Sequence, residues 1–401
     1  MSVWDVVVGQ VVVPRMQDAA AEAARIVVGA ESRGMMTHAW LITGPPGSGR
    51  SVVARAFAAA LQCTDDADPP GCGVCTACRT ALSGAHPDVH LVVTQSLALK
   101  VDAIREVVRQ SALRPAEGRW QVIVVEDADR LTDEAADALL LSIEEPPPRT
   151  VWVLCAPAAE DVSPTIRSRC RSVVMRTPPT DAVAAFLVSE GVDPARAAFA
   201  ARASQGHIGR ARGLATDEQA YRNHGDVLLL PTRLGDAPSA LAAAATLLEA
   251  AQADAGAHCD ALEAAERENL AAMIGSGRSK VRGSAGLAKD LDREQKGRRT
   301  RVTRDFLDRA LVDVLGFYRD VLRVQSGADA ELINEERRPA IERMARATTM
   351  TTTSRRMAAV VAAREALGAN AAPLLTLESL ALTLRDPSPA ASAVQDVGSR
   401  R

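Results

Sequence analysis

Gly44-Pro45-Pro46-Gly47-Ser48-Gly49-Arg50-Ser51 is the stretch on which the fold turns. It fits the pattern G-x-x-x-x-G-K-[ST] everywhere except at the lysine, where Arg50 stands. The glycines let backbone N–H groups turn inward around phosphate oxygens, the lysine reaches the β and γ phosphates, and the Ser/Thr hydroxyl holds Mg²⁺. Arginine keeps the charge but is a planar, wider fork, so the exchange is not conservative in a tight phosphate cradle. Gly44, Gly47, Ser48, Gly49, Arg50 and Ser51 are therefore the candidate nucleotide-binding residues of a site whose own ATP chemistry is impaired.

The surroundings are those the motif requires. Ala39-Trp40-Leu41-Ile42-Thr43 is a short apolar strand feeding the loop, and the alanine-rich run Ser51 to Leu61 has high helix propensity. Val89–Val93, Gln121–Val125 and Thr150–Leu154 give three more strands, with a helix over Asp133 to Ile143 that stops at Pro146-Pro147-Pro148. Alternating strands and helices predict an α/β domain with a parallel sheet. Beyond Pro178-Pro179 the pattern is wholly helical. Leu307, Leu311, Val314, Leu315, Tyr318 and Leu322 share one face, and Leu374, Leu375, Leu377, Leu380 and Leu384 mark a last buried helix.

The 401 residues leave room for two or three domains. A formal net charge of −3 gives no global electrostatic pull toward nucleic acid or membrane. No N-terminal signal pattern and no apolar run of membrane-spanning length occurs, so a cytoplasmic protein is expected. In that reducing compartment clustered cysteines suggest metal before disulfide.

Cys63, Cys72, Cys75 and Cys78 form such a cluster, spaced C-x8-C-x2-C-x2-C around the turn Pro69-Pro70-Gly71. Four thiolates satisfy tetrahedral zinc and leave no open position, which predicts a structural ion. Redox chemistry would need only two of them. The neighbouring His86 and His90 then have no ligand role.

At the end of the third strand, Glu126-Asp127 offers the carboxylate pair that ATP hydrolysis needs, one for Mg²⁺ and one for the attacking water. The order is Glu-Asp instead of Asp-Glu, and such geometry is sensitive to about 1 Å. A solvated acidic strand end is the rival reading. Pro164-Thr165-Ile166-Arg167-Ser168-Arg169-Cys170 presents two arginines, either salt-bridged locally or reaching a phosphoryl group across a subunit boundary. The basic stretch Arg278 to Arg304 interleaves Asp290, Asp292 and Glu294 and lacks aromatics, which favours a solvated linker or exposed helix over a phosphate-binding surface.

Taken together, Val8-Gly9-Gln10, the glycine loop, the cysteine quartet, Glu126 to Thr132, Ala138 to Pro147 and Ser168-Arg169-Cys170 resemble the clamp-loader branch of the AAA+ ATPases, the bacterial DNA polymerase III subunits. The resemblance is dense from Val8 to Ala211 and thinner beyond, where Asn370-Ala371 to Leu384 looks like the family's closing helix. It implies an α/β AAA+ P-loop domain over 1–177 with a zinc module at about 63–78, and a small helical lid over 178–222. An all-α C-terminal collar over 223–386 and a flexible tail over 387–401 would follow. It further implies a hetero-pentamer with gamma/tau and delta subunits, which opens a sliding clamp and places it on primer-template DNA, with no membrane involvement. Motor subunits of this branch carry the loop lysine, an Asp-Glu pair, a polar sensor after the fourth strand and a sensor arginine in the lid. Here those positions hold Arg50, Glu126-Asp127, Ala156-Pro157 and Gly209, with Arg210 one place on. Arg169, which in the family serves the neighbouring subunit's ATP, is kept. The resemblance therefore implies a non-motor stator that binds ATP and Mg²⁺ weakly if at all. An active motor ATPase and a zinc-dependent DNA-binding module are the alternatives.

Overall fold

The computed structural model describes residues 2–5, 7, 10, 16–21, 23, 37–65, 68–93, 98–117, 119–275, 284–328 and 331–387. Val8 and Gly9, the basic residues Arg278, Lys280 and Arg282, and the tail from 388 onward lie outside them. The chain divides into two compact units, Met1–Thr216 and Asp217–Arg401.

The first unit is built on a five-stranded sheet. Its strands are β1 (Ala39–Thr43), β2 (Val89–Val92), β3 (Gln121–Val125), β4 (Thr150–Ala156) and β5 (Arg171–Val174). They run in the order β2-β3-β4-β1-β5, and every pairing is parallel. Because both faces are covered, β1, β3 and β4 are buried at every residue, which explains their unbroken apolar character. Alternation then sorts the side chains. Trp40, Ile42, Val122, Val124, Val151 and Val153 face a core shared with helix α1 (Arg50–Gln62) and helix α2 (Thr76–Ser83). Leu41, Ile123, Val125, Trp152 and Leu154 face the other way, toward α3 (Val101–Ser111) and α4 (Asp133–Glu144). Trp40 meets Phe57 of α1 edge-on, with ring centroids 5.5 Å apart.

Sequence reading finds four of these strands and misses β5. That strand is short, lies at the sheet edge and shows a single buried residue, Val173, so it carries no apolar run. After β4 the short helix α5 (Pro164–Arg167) precedes it. Helices α6 (Thr180–Ser189), α7 (Pro194–Ser204) and α8 (Ile208–Thr216) complete the unit around a separate alanine-rich core with Val183, Leu187 and Leu214.

The second unit is helical: α9 (Glu218–Val227), α10 (Ala237–Gly275), α11 (Ser284–Ser326), α12 (Arg338–Ala347), α13 (Met350–Gly368) and α14 (Pro373–Arg385). Phe306, Leu307, Leu311, Val314, Phe317, Tyr318 and Val321 of α11 form the spine of its core. Leu377, Leu380 and Leu384 of α14 join that core. Leu374 and Leu375 do not. They are 40% and 67% exposed: Leu375 lies off the face that the three-and-four spacing buries, and Leu374, though in register with Leu377, stands in the first turn at the helix end.

Away from that spine, α10 and α11 are joined by charge. Arg299 donates to Asp260 and Glu263, each at 2.6 Å, and Arg298 forms a bidentate pair with Glu266 at 2.7 and 3.1 Å. The described part of the basic stretch is therefore helix, and Arg298 within it is buried against its partner instead of solvated.

One buried carboxylate organises the turn after α11. Asp320 is fully buried and accepts hydrogen bonds from the N–H groups of Ile333 and Asn334 and from Asn334 Nδ2, at 2.8–3.0 Å. Burial still raises its carboxyl above the usual range. Replacing Asp320 with Ala leaves those donors without their acceptor, and a loss of about 1–3 kcal/mol is expected in chemical denaturation of the protein.

Candidate functional site

The glycine loop lies where its motif requires, between the end of β1 and the start of α1. Gly44, Gly47 and Gly49 adopt φ values of 157°, 82° and 92°; the last two lie in the left-handed region that favours glycine. The loop is tied to its surroundings by main-chain bonds: Gly44 N–H donates to the Pro157 carbonyl at 3.1 Å, and Ile208 N–H to the Gly47 carbonyl at 3.3 Å. A Cβ at Gly47 would run into His207, so the start of α8 is packed directly on the turn. Gln10, the described member of Val8-Gly9-Gln10, braces the loop from the other side. Its amide donates to the Arg176 carbonyl at 2.7 Å and the Ser48 carbonyl at 3.3 Å, and accepts from Arg176 N–H at 3.0 Å.

Two arginines of α1 decide the electrostatics here. Arg50 donates from Nη1 to the carbonyl of Gly44 in its own loop. Burial pushes its guanidinium pKa down, opposed by Cys155 and by the nearby Asp129 and Asp127. Arg55, one turn further along, donates from Nε and Nη2 to Glu126 Oε1 at 2.8 and 2.6 Å. Sequence reading brings Arg50, Glu126 and Asp127 to one place, as found, and does not anticipate Arg55. The pairing spans 71 residues and leaves no local signature. Beside it, Asp129 is driven above the usual carboxylate range, chiefly by burial. The Ser48 hydroxyl is buried with no hydrogen-bond partner among the described residues. Ser51 lies in the first turn of α1 and is partly exposed.

The cysteines converge as their spacing predicts. The sulfurs of Cys63, Cys72, Cys75 and Cys78 all lie within 4.8 Å of one another. A tetrahedral Zn–S₄ centre with bonds of about 2.3 Å needs sulfurs about 3.8 Å apart, so the cluster could hold a structural zinc. Three thiols also accept backbone N–H bonds: Cys72 N–H to Cys63 Sγ at 3.5 Å, Cys75 N–H to Cys72 Sγ at 3.3 Å and Cys78 N–H to Cys75 Sγ at 3.4 Å. Such donors favour thiolates. Burial opposes ionisation of Cys75, but hydrogen bonds from Thr64 and Cys78 outweigh it and take that thiol down to about 6. Burial pushes Cys78 up, where a dication would have to drive its deprotonation. His86 is directed instead to Glu117, at 3.2 Å, and His90 to Gln121. The turn before the cluster is latched to the start of the chain: Val3 N–H donates to the Gly71 carbonyl and Trp4 Nε1 to the Pro70 carbonyl, both at 2.9 Å.

Arg169 lies at the far end of the short α5 turn, remote in sequence from the loop. Its side chain is 39% exposed and ion-paired with Glu144 at the end of α4. Both readings of this arginine, local salt bridge and reach across a boundary, thus start from one exposed guanidinium.

Residues 20–179 match the family described as "DNA polymerase III, delta subunit". The delta' subunit of Escherichia coli K12 is 36% identical over 180 residues, which cover 44% of this chain and 54% of that protein. That of Pseudomonas aeruginosa is 35% identical over 140 residues, 34% of this chain and 43% of the relative. The gamma/tau subunit of Mycobacterium tuberculosis H37Rv is 32% identical over 155 residues, 38% of this chain and 27% of the relative. The chain thus spans about half the length of the delta' relatives it matches. A gamma subunit-related protein of Thermotoga maritima aligns over 91% of this chain and 98% of its own, at 16% identity and a TM-score of 0.37. Over the matched stretch the chain is similar to the delta' and gamma/tau subunits of DNA polymerase III.

The purified protein is expected to carry zinc at a one-to-one ratio by elemental analysis, and Cys75→Ser to lose it. Chelation should also release the N-terminal latch, seen as faster hydrogen exchange at the Val3 amide. Unchanged exchange after complete metal removal would show the latch to be independent of the cysteine cluster.

Proposed function

We propose that the chain is a delta-prime-like stator of a bacterial DNA polymerase III clamp loader, with little ATPase activity of its own. The observation that carries this reading is the pairing of Glu126 with Arg55. In a working site the carboxylate at this position serves a hydrated Mg²⁺ ion. Here a guanidinium from α1 already compensates it, and a dication would first have to break a close ion pair. Arg50 adds to this by donating to its own loop's carbonyl, where a lysine would reach toward the β and γ phosphates. Ala156-Pro157 offers no polar side chain, and Pro157 spends its carbonyl on Gly44 N–H. The residues present therefore fit Mg²⁺-ATP poorly.

Arg169 follows a different logic. It is exposed, lies outside the glycine loop and is retained, as expected of a group that acts on a neighbour's nucleotide. An arginine supplied in trans stabilises charge that develops only in the transition state. The remaining parts fall into place around that role. The domain of residues 1–177 carries the degenerate site and the zinc module, and α6 to α8 form the lid. The second unit is the collar that joins gamma/tau and delta subunits in a hetero-pentamer. The assembly then acts on the sliding clamp and primer-template DNA. No described helix is long and apolar enough to cross a membrane.

A second reading, a gamma/tau-like motor, is favoured by the 32% identity to the mycobacterial gamma/tau subunit. The two separate on activity. The chain alone is expected to show no ATP turnover above background, and Arg50→Lys should not create any while Arg55 still holds Glu126. Intrinsic turnover abolished by Glu126→Gln would establish the motor instead. In a loader reconstituted with this chain, Arg169→Ala should lower DNA-stimulated ATP turnover by about 10³- to 10⁵-fold at the site it serves, with assembly intact by gel filtration. Unchanged turnover would leave Arg169 a structural arginine.

A further inference from the structure

The guanidinium of Arg169 is held at two of its three nitrogens. Nε donates to Glu144 Oε1, while Nη1 donates to the Thr165 carbonyl at 2.9 Å and to Ser168 Oγ at 3.1 Å. Nη2 makes no hydrogen bond among the described residues. Of the five N–H donors on a guanidinium, those on Nε and Nη1 are committed internally and the Nη2 pair is left for an incoming acceptor. An arginine is a long, rotamer-rich side chain, and fixing its orientation before it meets a phosphoryl oxygen removes a cost from the reacting complex.

Both anchors of this clamp are rigid. Glu144 sits in the last turn of α4, which is rooted in the core by the fully buried Leu139 and Ile143. Thr165 and Ser168 belong to the α5 turn, pinned by the fully buried Ile166. Stability does not account for the pair, because its two side chains are 39% and 40% exposed and exposed ion pairs contribute little to folding. The contact joins the proline-terminated end of α4 to the arginine loop, two segments that the fold brings together from 25 residues apart.

We propose that Glu144 is a positioning residue for Arg169: it holds Nε, while Thr165 and Ser168 hold Nη1, so that Nη2 is presented to the neighbouring subunit's nucleotide. The proposal rests on the reading of Arg169 as a trans-acting arginine. Glu144 itself touches no nucleotide, so its removal acts on kcat and leaves the KM for ATP unchanged. A misplacement of about 1 Å can cost on the order of 100-fold in rate, which bounds the expected effect.

The test is a double-mutant cycle in the reconstituted loader, with gamma/tau as the ATPase and primed DNA and clamp present. Glu144→Ala is expected to lower kcat by about 10- to 100-fold in the wild-type background. In the Arg169→Ala background it should have no further effect. Glu144→Gln, which keeps an oxygen acceptor for Nε, should restore most of the loss, and all variants should assemble alike by gel filtration. Full activity in Glu144→Ala while Arg169→Ala is impaired would overturn the positioning role and leave the trans-acting reading standing. So would an additive loss in the double variant, or a gain in turnover on removing Glu144. An inert Arg169→Ala would remove the reading itself, and this inference with it.

Discussion

Everything at the candidate site depends on the burial of one parallel sheet on both faces. With β1, β3 and β4 wholly enclosed, no freedom remains for their register. The glycine loop after β1, the acidic turn after β3 and Pro157 after β4 therefore emerge side by side, at the carboxyl ends where parallel sheets form their crevices. Trp40 and Trp152 sit on neighbouring strands, paired with Arg171 and Ala39, and point to opposite faces.

On the proposed stator reading, tethered cations stand within that crevice where a motor subunit would use mobile ones. A site that binds nucleotide keeps its positive charge divided among a lysine, exchangeable metal ions and backbone dipoles. Here Arg50 and Arg55 supply positive charge from a single helix, and each has an acceptor within the protein. The loop conformation is held by the left-handed glycines and by the Pro157, Gln10 and α8 contacts.

The parts legible in the sequence were those with short-range patterns. The glycine loop, the apolar strands before it and after it, and the cysteine quartet each announce themselves within a few residues, and the structure brings them together. β5 escaped because an edge strand of four residues with one buried side chain carries no periodicity to read. Helix α2 lies inside the cysteine cluster, where ligand spacing dominates the reading. Arg55 escaped for a different reason: an ion pair is a property of two distant residues, and alone each is an ordinary charge. On α14 the error ran the other way, since a leucine-rich run suggests burial throughout while a helix buries only one stripe. In the basic stretch Lys289, Arg293 and Lys296 are exposed on a helix as expected, while Arg298 is buried because its acidic partner lies on α10, 32 residues upstream.

The same ladder between α10 and α11 has a consequence for how these long helices find one another. The contact surface of α10 is largely alanine, at Ala240, Ala244, Ala251 and Ala255. Small side chains let the helices approach closely, but their near-uniform surface would accept a slip of one turn at little cost in packing. The charged rungs would not. Sliding by four residues would part Arg299 from the nearly inaccessible Glu263 and leave that carboxylate only its longer contact to Arg267 of the same helix. The ladder thus works as a vernier, adding little cohesion yet fixing alignment, and the oily spine nearer α14 supplies the grip. Because Glu263 and Arg298 are buried, salt screens these rungs far less than it screens exposed ion pairs, and the alignment they set holds across ionic strength.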